Sequence, residues 1–535
     1  MLVHADGVGQ RVITTPDAGL VRDDDELEPR VHQPFQRRAD AGKNLHLFGS
    51  VQVVFFDDER AIAVEKYGAV HDAAKLWGVC GKNGIEFFPN AGNMRQSRGH
   101  QLNIQNMSFK GRLGILVGGG PAPGLNGVIS AATIEGINQG YEVIGFRDGF
   151  KYIAQGDTTQ IKPLTIRDVK DIHLKGGSIL GTARTNPTKS EEQMKNIFTV
   201  FEKLGITALV SIGGDDTAFS ASCVAKHSQG KIKVAHVPKT IDNDLPLPGT
   251  APTFGYETAR HYGVQLVRNL MEDARTTSRW YLIVSMGRAA GHLALGIAKA
   301  SAATLSIILE EFRGRPVTVD EICDIIIGSI IKRKAEGSKY GLVVLAEGLI
   351  EGIGEKGLLA ALPEGELQHF GKIIRDDHGH LRLGEIEFGR LMKELLTQRL
   401  EKLGINMAFI DKDLGYELRC ADPIPFDAEY TRDLGYAAVK FLRSAEAEKY
   451  GAIISFVDGK MNPLPFEKML DPKTGRMQNR RVNVDGEAYE CACAYMIRLE
   501  REDFEDVKQL AKLAAVIKVT PDQFRARFGY LVGLK

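Results

Sequence analysis

The sequence predicts an α/β fold with mostly parallel sheets, and three observations predict it. From Leu113 on, short apolar runs of four or five residues recur without alternation, the pattern of strands buried on both faces and covered by helices. Between them lie segments with helical spacing of Ile, Phe, Val and Leu, such as EEQMKNIFTVFEKLG (191–205) and YETARHYGVQLVRNLMEDA (256–274). The runs end in glycine, other small residues or charge, and in open parallel sheets ligands bind beyond the carboxyl ends of the strands.

The runs can be taken in order. LGILV ends in GGGPAPGLN (118–126), whose glycines let backbone N–H groups approach an anion ahead of a helix N-terminus. Taken alone this is a weak signal, because such a turn is also simply a tight turn, and its spacing is neither a dinucleotide fingerprint nor a Walker loop. EVIGF ends in Arg147-Asp148-Gly149, and further on comes GGSILGTARTNP (176–187), where Arg184 among glycines suits phosphate clamping. ALVSI ends in GGDDT, placing Asp215 and Asp216 at the mouth of a glycine turn. KVAHV ends in PKTIDND, where alternation of Asp242 and Asp244 in an extended segment puts both carboxylates on one side. YLIVS ends in MGRAAGHLA, with Arg279 nine residues before Arg288; LSIIL ends in Glu310-Glu311-Phe312, and GLVVL in Ala346-Glu347-Gly348. GYELR (415–419) follows a polar, charged and mostly helical stretch, 351–413, and an α/β-like stretch runs from there to Lys535.

Each of these residues, taken singly, is more often a turn or surface group than a ligand. Their accumulation at strand ends changes the reading. Asp215, Asp216, Asp242 and Asp244 share one rim with Lys239 and Arg184, and carboxylates around a phosphate site make sense when Mg²⁺ inverts the local charge logic. One carboxylate then holds the metal while another takes a proton from an attacking hydroxyl. Arginines with Glu347 and Tyr416 suit a sugar phosphate.

Composition narrows the class. Lys+Arg and Asp+Glu both total 68, so the net charge of zero argues against a nucleic-acid partner. No segment is apolar enough to span a bilayer, and the first thirty residues are too polar and acidic for a signal peptide, so no membrane partner is expected. Six scattered cysteines without CxxC spacing fit a reducing, cytoplasmic setting; CAC at 491–493 reads as a strand with alternating faces rather than a metal site. Residues 1–107 carry charge clusters and one apolar run, VQVVFF, and read as a poorly ordered extension or a mis-assigned start before Met107.

In this order, GGGPAPGLN, GGSILGTAR, GGDDT, PKTIDND, MGRAAGHLA, AEG and GYELR resemble the phosphofructokinases, from about Gly111 to the C-terminus. The resemblance implies two similar doubly wound, Rossmann-like domains with the active site between them: a phosphate-donor domain over 108–255, a sugar-phosphate domain over 256–417 including the insert 351–413, and C-terminal segments over 418–535 that cross back to complete both. It implies Asp242 as the base for the 1-hydroxyl of fructose 6-phosphate, Asp244 as its supporting carboxylate, Asp215 with Mg²⁺, and Gly119 and Arg184 with the donor. Thr240 resembles the hydroxyl beside the transferred phosphoryl group. Met286, Gly287, Arg288, Glu347, Tyr416 and Arg419 resemble the sugar-phosphate pocket, and Arg279 the arginine that enters a neighbouring subunit's site in a homodimer or larger assembly. Pro121 stands where many relatives have aspartate, and Lys412 stands near the place of a second inter-subunit arginine, a role not carried over to it.

The same resemblance explains the two aspartates. ATP-using members carry glycine at the positions of Asp216 and Lys239, whereas GGDD with PKTIDND is the pyrophosphate-type pair. A carboxylate about 4 Å from an α-phosphate at an effective dielectric of ~20 repels it by about 4 kcal/mol, and even half of that is over tenfold in affinity. The expected reaction is reversible, Mg²⁺-dependent transfer from pyrophosphate to fructose 6-phosphate, giving phosphate and fructose 1,6-bisphosphate in glycolysis or gluconeogenesis. The rivals are an ATP-dependent enzyme, which Asp216 and Lys239 oppose, and a regulatory subunit, which would be expected to lose a carboxylate among Asp215, Asp242 and Asp244.

Overall fold

The computed structural model describes residues 111–375 and 381–534, together with five short strands within the first 106 residues. The chain divides into two units, Met1–Asn106 and Met107–Lys535. In the first, β1 (Leu45–Leu47), β2 (Val51–Phe56) and β3 (Arg60–Glu65) form an antiparallel sheet, and β4 (Val79–Gly81) pairs with β5 (Gly84–Glu86). The reading of residues 1–107 as an extension otherwise lies outside the described residues.

The second unit is built on two sheets. The larger has the order β16-β15-β10-β9-β6-β7-β8, with β6 (Arg112–Val117), β7 (Glu142–Phe146), β9 (Ile206–Gly213), β10 (Lys233–Pro238) and β15 (Ala452–Val457) parallel. The edge strands β8 (Ile161–Pro163) and β16 (Lys460–Pro465) run antiparallel. The smaller sheet is all parallel, in the order β12-β13-β11-β14: β12 (Leu305–Ile307), β13 (Gly341–Ala346), β11 (Trp280–Ser285) and β14 (Phe409–Leu414).

Both faces of each sheet are buried, which is why its strands read as unbroken apolar runs. Leu113, Ile115 and Val117 of β6 enter one core layer and Leu116 the opposite one. Trp280, Leu282 and Val284 of β11 face one layer, Tyr281 and Ile283 the other. The helices that follow these strands are α1 (Leu125–Asn138), α2 (Glu191–Leu204), α3 (Asp215–His227), α4 (Tyr256–Thr277), α5 (His292–Ser301), α6 (Val319–Ala335) and α7 (Gly348–Ala361). Burial of one face, rather than intrinsic propensity, holds such helices in place. In α2, Met194, Ile197, Val200 and Phe201 form the buried stripe, Ser190 caps the start and Gly205 ends it in the left-handed region.

The C-terminal part returns to both sheets. Helix α8 (Phe388–Lys402) precedes β14, and α9 (Tyr416–Arg419) follows it. Helix α10 (Pro425–Leu442) packs on α1, and β15 and β16 complete the larger sheet. Beyond them α11 (Glu487–Tyr495) packs on α5, and a later helix, α12 (Val507–Val516), packs on α6.

One expectation needs correction. Cys491 and Cys493 lie in helix α11, not in a strand: Ala492 between them is the buried residue, and the helix packs on α5 through one narrow face. The stretch 351–413 is mostly helical, and its last residues, 409–413, form most of edge strand β14. Its charges are accommodated by Lys393 donating to Asp411 at 2.8 Å and by Lys412 pairing with Glu417 at 3.6 Å.

Candidate active site

The carboxyl ends of β6, β9 and β10 in one sheet, and of β11, β13 and β14 in the other, open onto a shared cleft. It consists of two adjoining pockets, one of about 210 Å³ and one of about 500 Å³, which share Arg184, Asp215, Asp242, Asp244 and Arg419. The smaller is further lined by Gly119, Asp216, Lys239 and Thr240, the larger by Met286, Arg288, Glu347 and Tyr416.

The smaller pocket grows out of the glycine turn after β6. Gly119 has φ +82°, a backbone conformation that favours glycine, and a Cβ there would lie 3.3 Å from the Lys239 Nζ, crowding the lysine. Lys239 is buried and donates from Nζ to the Gly120 carbonyl, while its own N–H donates to Gly213 O at 2.8 Å. Burial, against the attraction of Asp242, brings its ammonium down to about 8. A Cβ on Gly120 would meet the Arg419 guanidinium at 3.2 Å. Arg419, expected among the sugar-pocket residues, therefore lies against the donor loop as well.

Asp215 and Asp216 are the first two residues of α3, where the helix dipole stabilises negative charge. Burial and the neighbouring Asp215 nevertheless raise the Asp216 carboxyl. Thr217 behind them wedges between the two glycine turns, its Oγ1 2.5 Å from where a Gly118 Cβ would be. Below the pocket, fully buried His236 donates from Nε2 to Gly213 O at 3.0 Å and accepts at Nδ1 from Ser211 Oγ at 3.3 Å.

Asp242 and Asp244 reach the same cleft, but not by strand alternation. Asn243 between them adopts φ +57°, and the chain bends there. The Asp242 N–H donates to Thr240 Oγ1 at 3.0 Å. Its Oδ1 is shielded from solvent with no hydrogen-bond partner. Burial first, then Asp244 and Glu347, push the Asp242 carboxyl well above the usual carboxylate range; burial and Asp215 do the same to Asp244.

In the larger pocket Arg288 Nε donates to Glu347 Oε1 at 2.8 Å, and the Gly287 N–H donates to Glu347 Oε2 at 3.2 Å. Gly287 thus fixes Glu347 from behind the pocket wall. Tyr416 is 77% exposed, with the Arg419 guanidinium 4.9 Å from its ring centre. Arg279 is not brought to the site. It precedes β11 at the amino end of the strand, about 20 Å from Met286 at roughly 3.3 Å per residue. Its Nε is buried without a partner.

Several lining residues carried no legible signal: Asn186 and Thr217 on the smaller pocket, Leu383, Glu387 and Asp413 on the larger. Asn186 stands within the quoted GGSILGTARTNP and Thr217 ends the quoted GGDDT, so membership of a motif was their only mark. Among the described residues no helix is long and apolar enough to cross a membrane.

The chain is 52% identical over 424 residues to a pyrophosphate–fructose 6-phosphate 1-phosphotransferase of Thermotoga maritima, covering 79% of this chain and 99% of the relative. It is 49% identical to a protein of the same name from Naegleria fowleri, over 78% and 95%. Among solved structures, a pyrophosphate-dependent phosphofructokinase from Marinobacter aquaeolei shares the fold at TM-score 0.53 and 15% identity, over 72% of this chain and 92% of that one. A phosphofructokinase from Saccharomyces cerevisiae does so at TM-score 0.51 and 18% identity over 79% of this chain, which spans half the length of the yeast chain. The two-sheet architecture, the strand-end cleft and the match of residues 112–442 to the phosphofructokinase family model agree, and the chain belongs to that family.

Proposed function

We propose that the protein transfers a phosphoryl group from pyrophosphate to the 1-hydroxyl of fructose 6-phosphate, reversibly and with Mg²⁺. The observation that carries the donor assignment is the pairing of Asp216 and Lys239 on the smaller pocket, one adding a carboxylate to its lining and the other supplying a buried cation. In this reading 108–255 hold the donor and 256–417 the sugar phosphate.

Charge supports a divalent ion. The smaller pocket is lined by three cations, Arg184, Lys239 and Arg419, and four carboxylates, Asp215, Asp216, Asp242 and Asp244. A pyrophosphate entering a site of that balance needs a counter-ion. Mg²⁺ is held through one or two carboxylates plus phosphate oxygens, and among the described residues no three His, Cys, Asp or Glu converge on one point. Asp215, lining both pockets, is the residue we assign to it. When bound, the ion neutralises charge on the transferred phosphate.

The chain's own groups do the rest. Lys239, Arg184 and the Gly119 turn hold the donor phosphates, and Arg288 and Glu347 orient the sugar. Asp242, with an unpartnered oxygen and a raised proton affinity, accepts the proton of the 1-hydroxyl as that oxygen attacks the terminal phosphorus and the P–O bond to the leaving phosphate breaks. Arg279, out of reach of its own pocket, acts on the site of a second copy in a homodimer or larger assembly. Five unpaired cysteines among the described residues support a cytoplasmic setting.

The deciding experiment is fructose 1,6-bisphosphate formation from fructose 6-phosphate with Mg²⁺, run with pyrophosphate and with ATP. Turnover with pyrophosphate alone is expected. Turnover with ATP instead overturns the donor assignment, and silence with both from folded protein favours a regulatory subunit.

A further inference from the structure

The hydrogen-bond partners of the catalytic loop lead to a residue no motif includes. Asn243, between the two catalytic carboxylates, is 9% exposed and left-handed, a conformation uncommon outside glycine. Its side-chain oxygen accepts from the Thr253 N–H at 3.0 Å. Its further donors are the Thr253 hydroxyl, at 3.5 Å, and Arg480, 237 residues along the chain. Arg480 Nη2 donates to Asn243 Oδ1, Nε to Asn243 O at 3.2 Å, and Nη1 to Ala251 O at 2.8 Å. Its backbone N–H donates to Asp244 O at 2.6 Å.

The segment around Arg480 is itself tied to the other half of the cleft. His292 Nε2, at the start of α5, donates to Arg480 O at 3.3 Å. Glu310 Oε1 accepts both from the Val482 N–H at 3.1 Å and from the Gly291 N–H at 2.9 Å, in the loop that follows Met286-Gly287-Arg288.

We propose that Arg480 is a positioning residue for phosphoryl transfer: its fork holds Asn243 left-handed and so fixes Asp242 and Asp244 in the cleft, from a segment anchored on the sugar-binding half. The inference rests on the proposed reaction. Arg480 lines neither pocket, so its loss disturbs the placement of the base and not the contacts to fructose 6-phosphate. A planar fork meets three carbonyl oxygens at fixed spacing, which a lysine does not.

The test is steady-state kinetics of the full chain with pyrophosphate, fructose 6-phosphate and Mg²⁺. Arg480→Gln is expected to lower kcat about 100-fold, the scale of a 1 Å misplacement, with KM for fructose 6-phosphate within about threefold. Arg480→Lys, which keeps the charge and loses the fork, is expected to recover at most about tenfold of that loss. Arg481→Gln, at the exposed neighbour, is expected to keep the wild-type kcat. A kcat within about twofold of wild type in Arg480→Gln, full recovery in Arg480→Lys, or a loss carried by KM overturns the assignment. If Arg480→Gln does not fold, the same kcat–KM split in Arg480→Lys decides. Wild-type turnover with an unaffected variant defeats this inference alone; a wild-type chain silent with pyrophosphate defeats the reaction and the inference together.

Discussion

Removing the Asp216 carboxylate tests the donor choice at its physical origin. Asp216 is the second residue of α3 and lines the smaller pocket; under the proposed donor assignment, a nucleotide held by its terminal phosphates at Gly119, Arg184 and Lys239 would bring its α-phosphate towards that carboxylate. The contact repulsion of about 4 kcal/mol applies at ~4 Å and a dielectric of ~20. Asp216 is exposed, and Lys189 and Arg476 oppose its charge, so half of that, about 2 kcal/mol, is the working figure. Asp216→Gly should therefore improve the affinity for ATP about 30-fold. The charge removed is one that burial and Asp215 already disfavour, and glycine in the helix costs about 1 kcal/mol, so the fold should survive. Lys239→Gly is the complementary change. A hydrogen bond involving a charged group contributes about 1.5–3 kcal/mol, so kcat/KM for pyrophosphate should fall about 10- to 150-fold. The assay is fructose 1,6-bisphosphate formation with each donor varied at saturating fructose 6-phosphate and Mg²⁺. If Asp216→Gly gains nothing with ATP and Lys239→Gly keeps its pyrophosphate turnover, the donor is selected elsewhere and not by these two charges.

Asp242→Ser should lower kcat by about 10²- to 10⁴-fold while fructose 6-phosphate binding, measured by calorimetry, stays within a few-fold; unchanged turnover would mean that the carboxylate is only structural. Arg279→Ala should raise KM for fructose 6-phosphate, and mixed oligomers of Arg279→Ala with Asp242→Ser chains should show, at limiting fructose 6-phosphate, more activity than either parent alone, because each supplies what the other lacks. His236 gives a stability prediction: burial drives its imidazole down from 6.5 to about 3, so between those values the unfolded chain binds a proton that the folded chain does not. Stability should thus fall with acidification across that window, by up to about 1.4 kcal/mol per pH unit. Denaturant midpoints of His236→Gln should flatten that dependence relative to wild type.

How legible each element was in the sequence follows from how many of its faces are buried. β6, β7, β9, β10, β11, β12 and β13 read as apolar runs because helices cover both sides of their sheets. β14 did not, because an edge strand with Asp411 and Lys412 paired to Lys393 and Glu417 reads as the end of a polar, mostly helical stretch until those partners are known. In α11, Cys491, Ala492 and Cys493 are too short a pattern to separate period 2 from period 3.6, and a helix packed on α5 alone buries too little to impose one.

The site was legible for a different reason. In a doubly wound sheet the carboxyl ends of strands must converge, so unusual residues at five strand ends, with GGSILGTARTNP and GYELR, were enough to assemble most of the cleft before any geometry was known. Local pattern gave the outcome but not the cause at Asp242 and Asp244: alternation put them on one side, whereas the structure uses a left-handed Asn243 and the hydrogen bonds that surround it. Those bonds come from Thr253, ten residues on, and from Arg480, which stands in QNRRVNV and looks like any exposed basic pair. Nothing in a short window of sequence marks a contact made by chain that crosses back 237 residues later. The one local cue is Asn243 itself, since asparagine between two carboxylates tolerates the left-handed region and carries an acceptor that must be satisfied once buried. Once buried, that acceptor requires donors, and with the neighbouring chain supplying only Thr253 the remainder must come from a distant segment, whose identity, Arg480, emerges only in the fold.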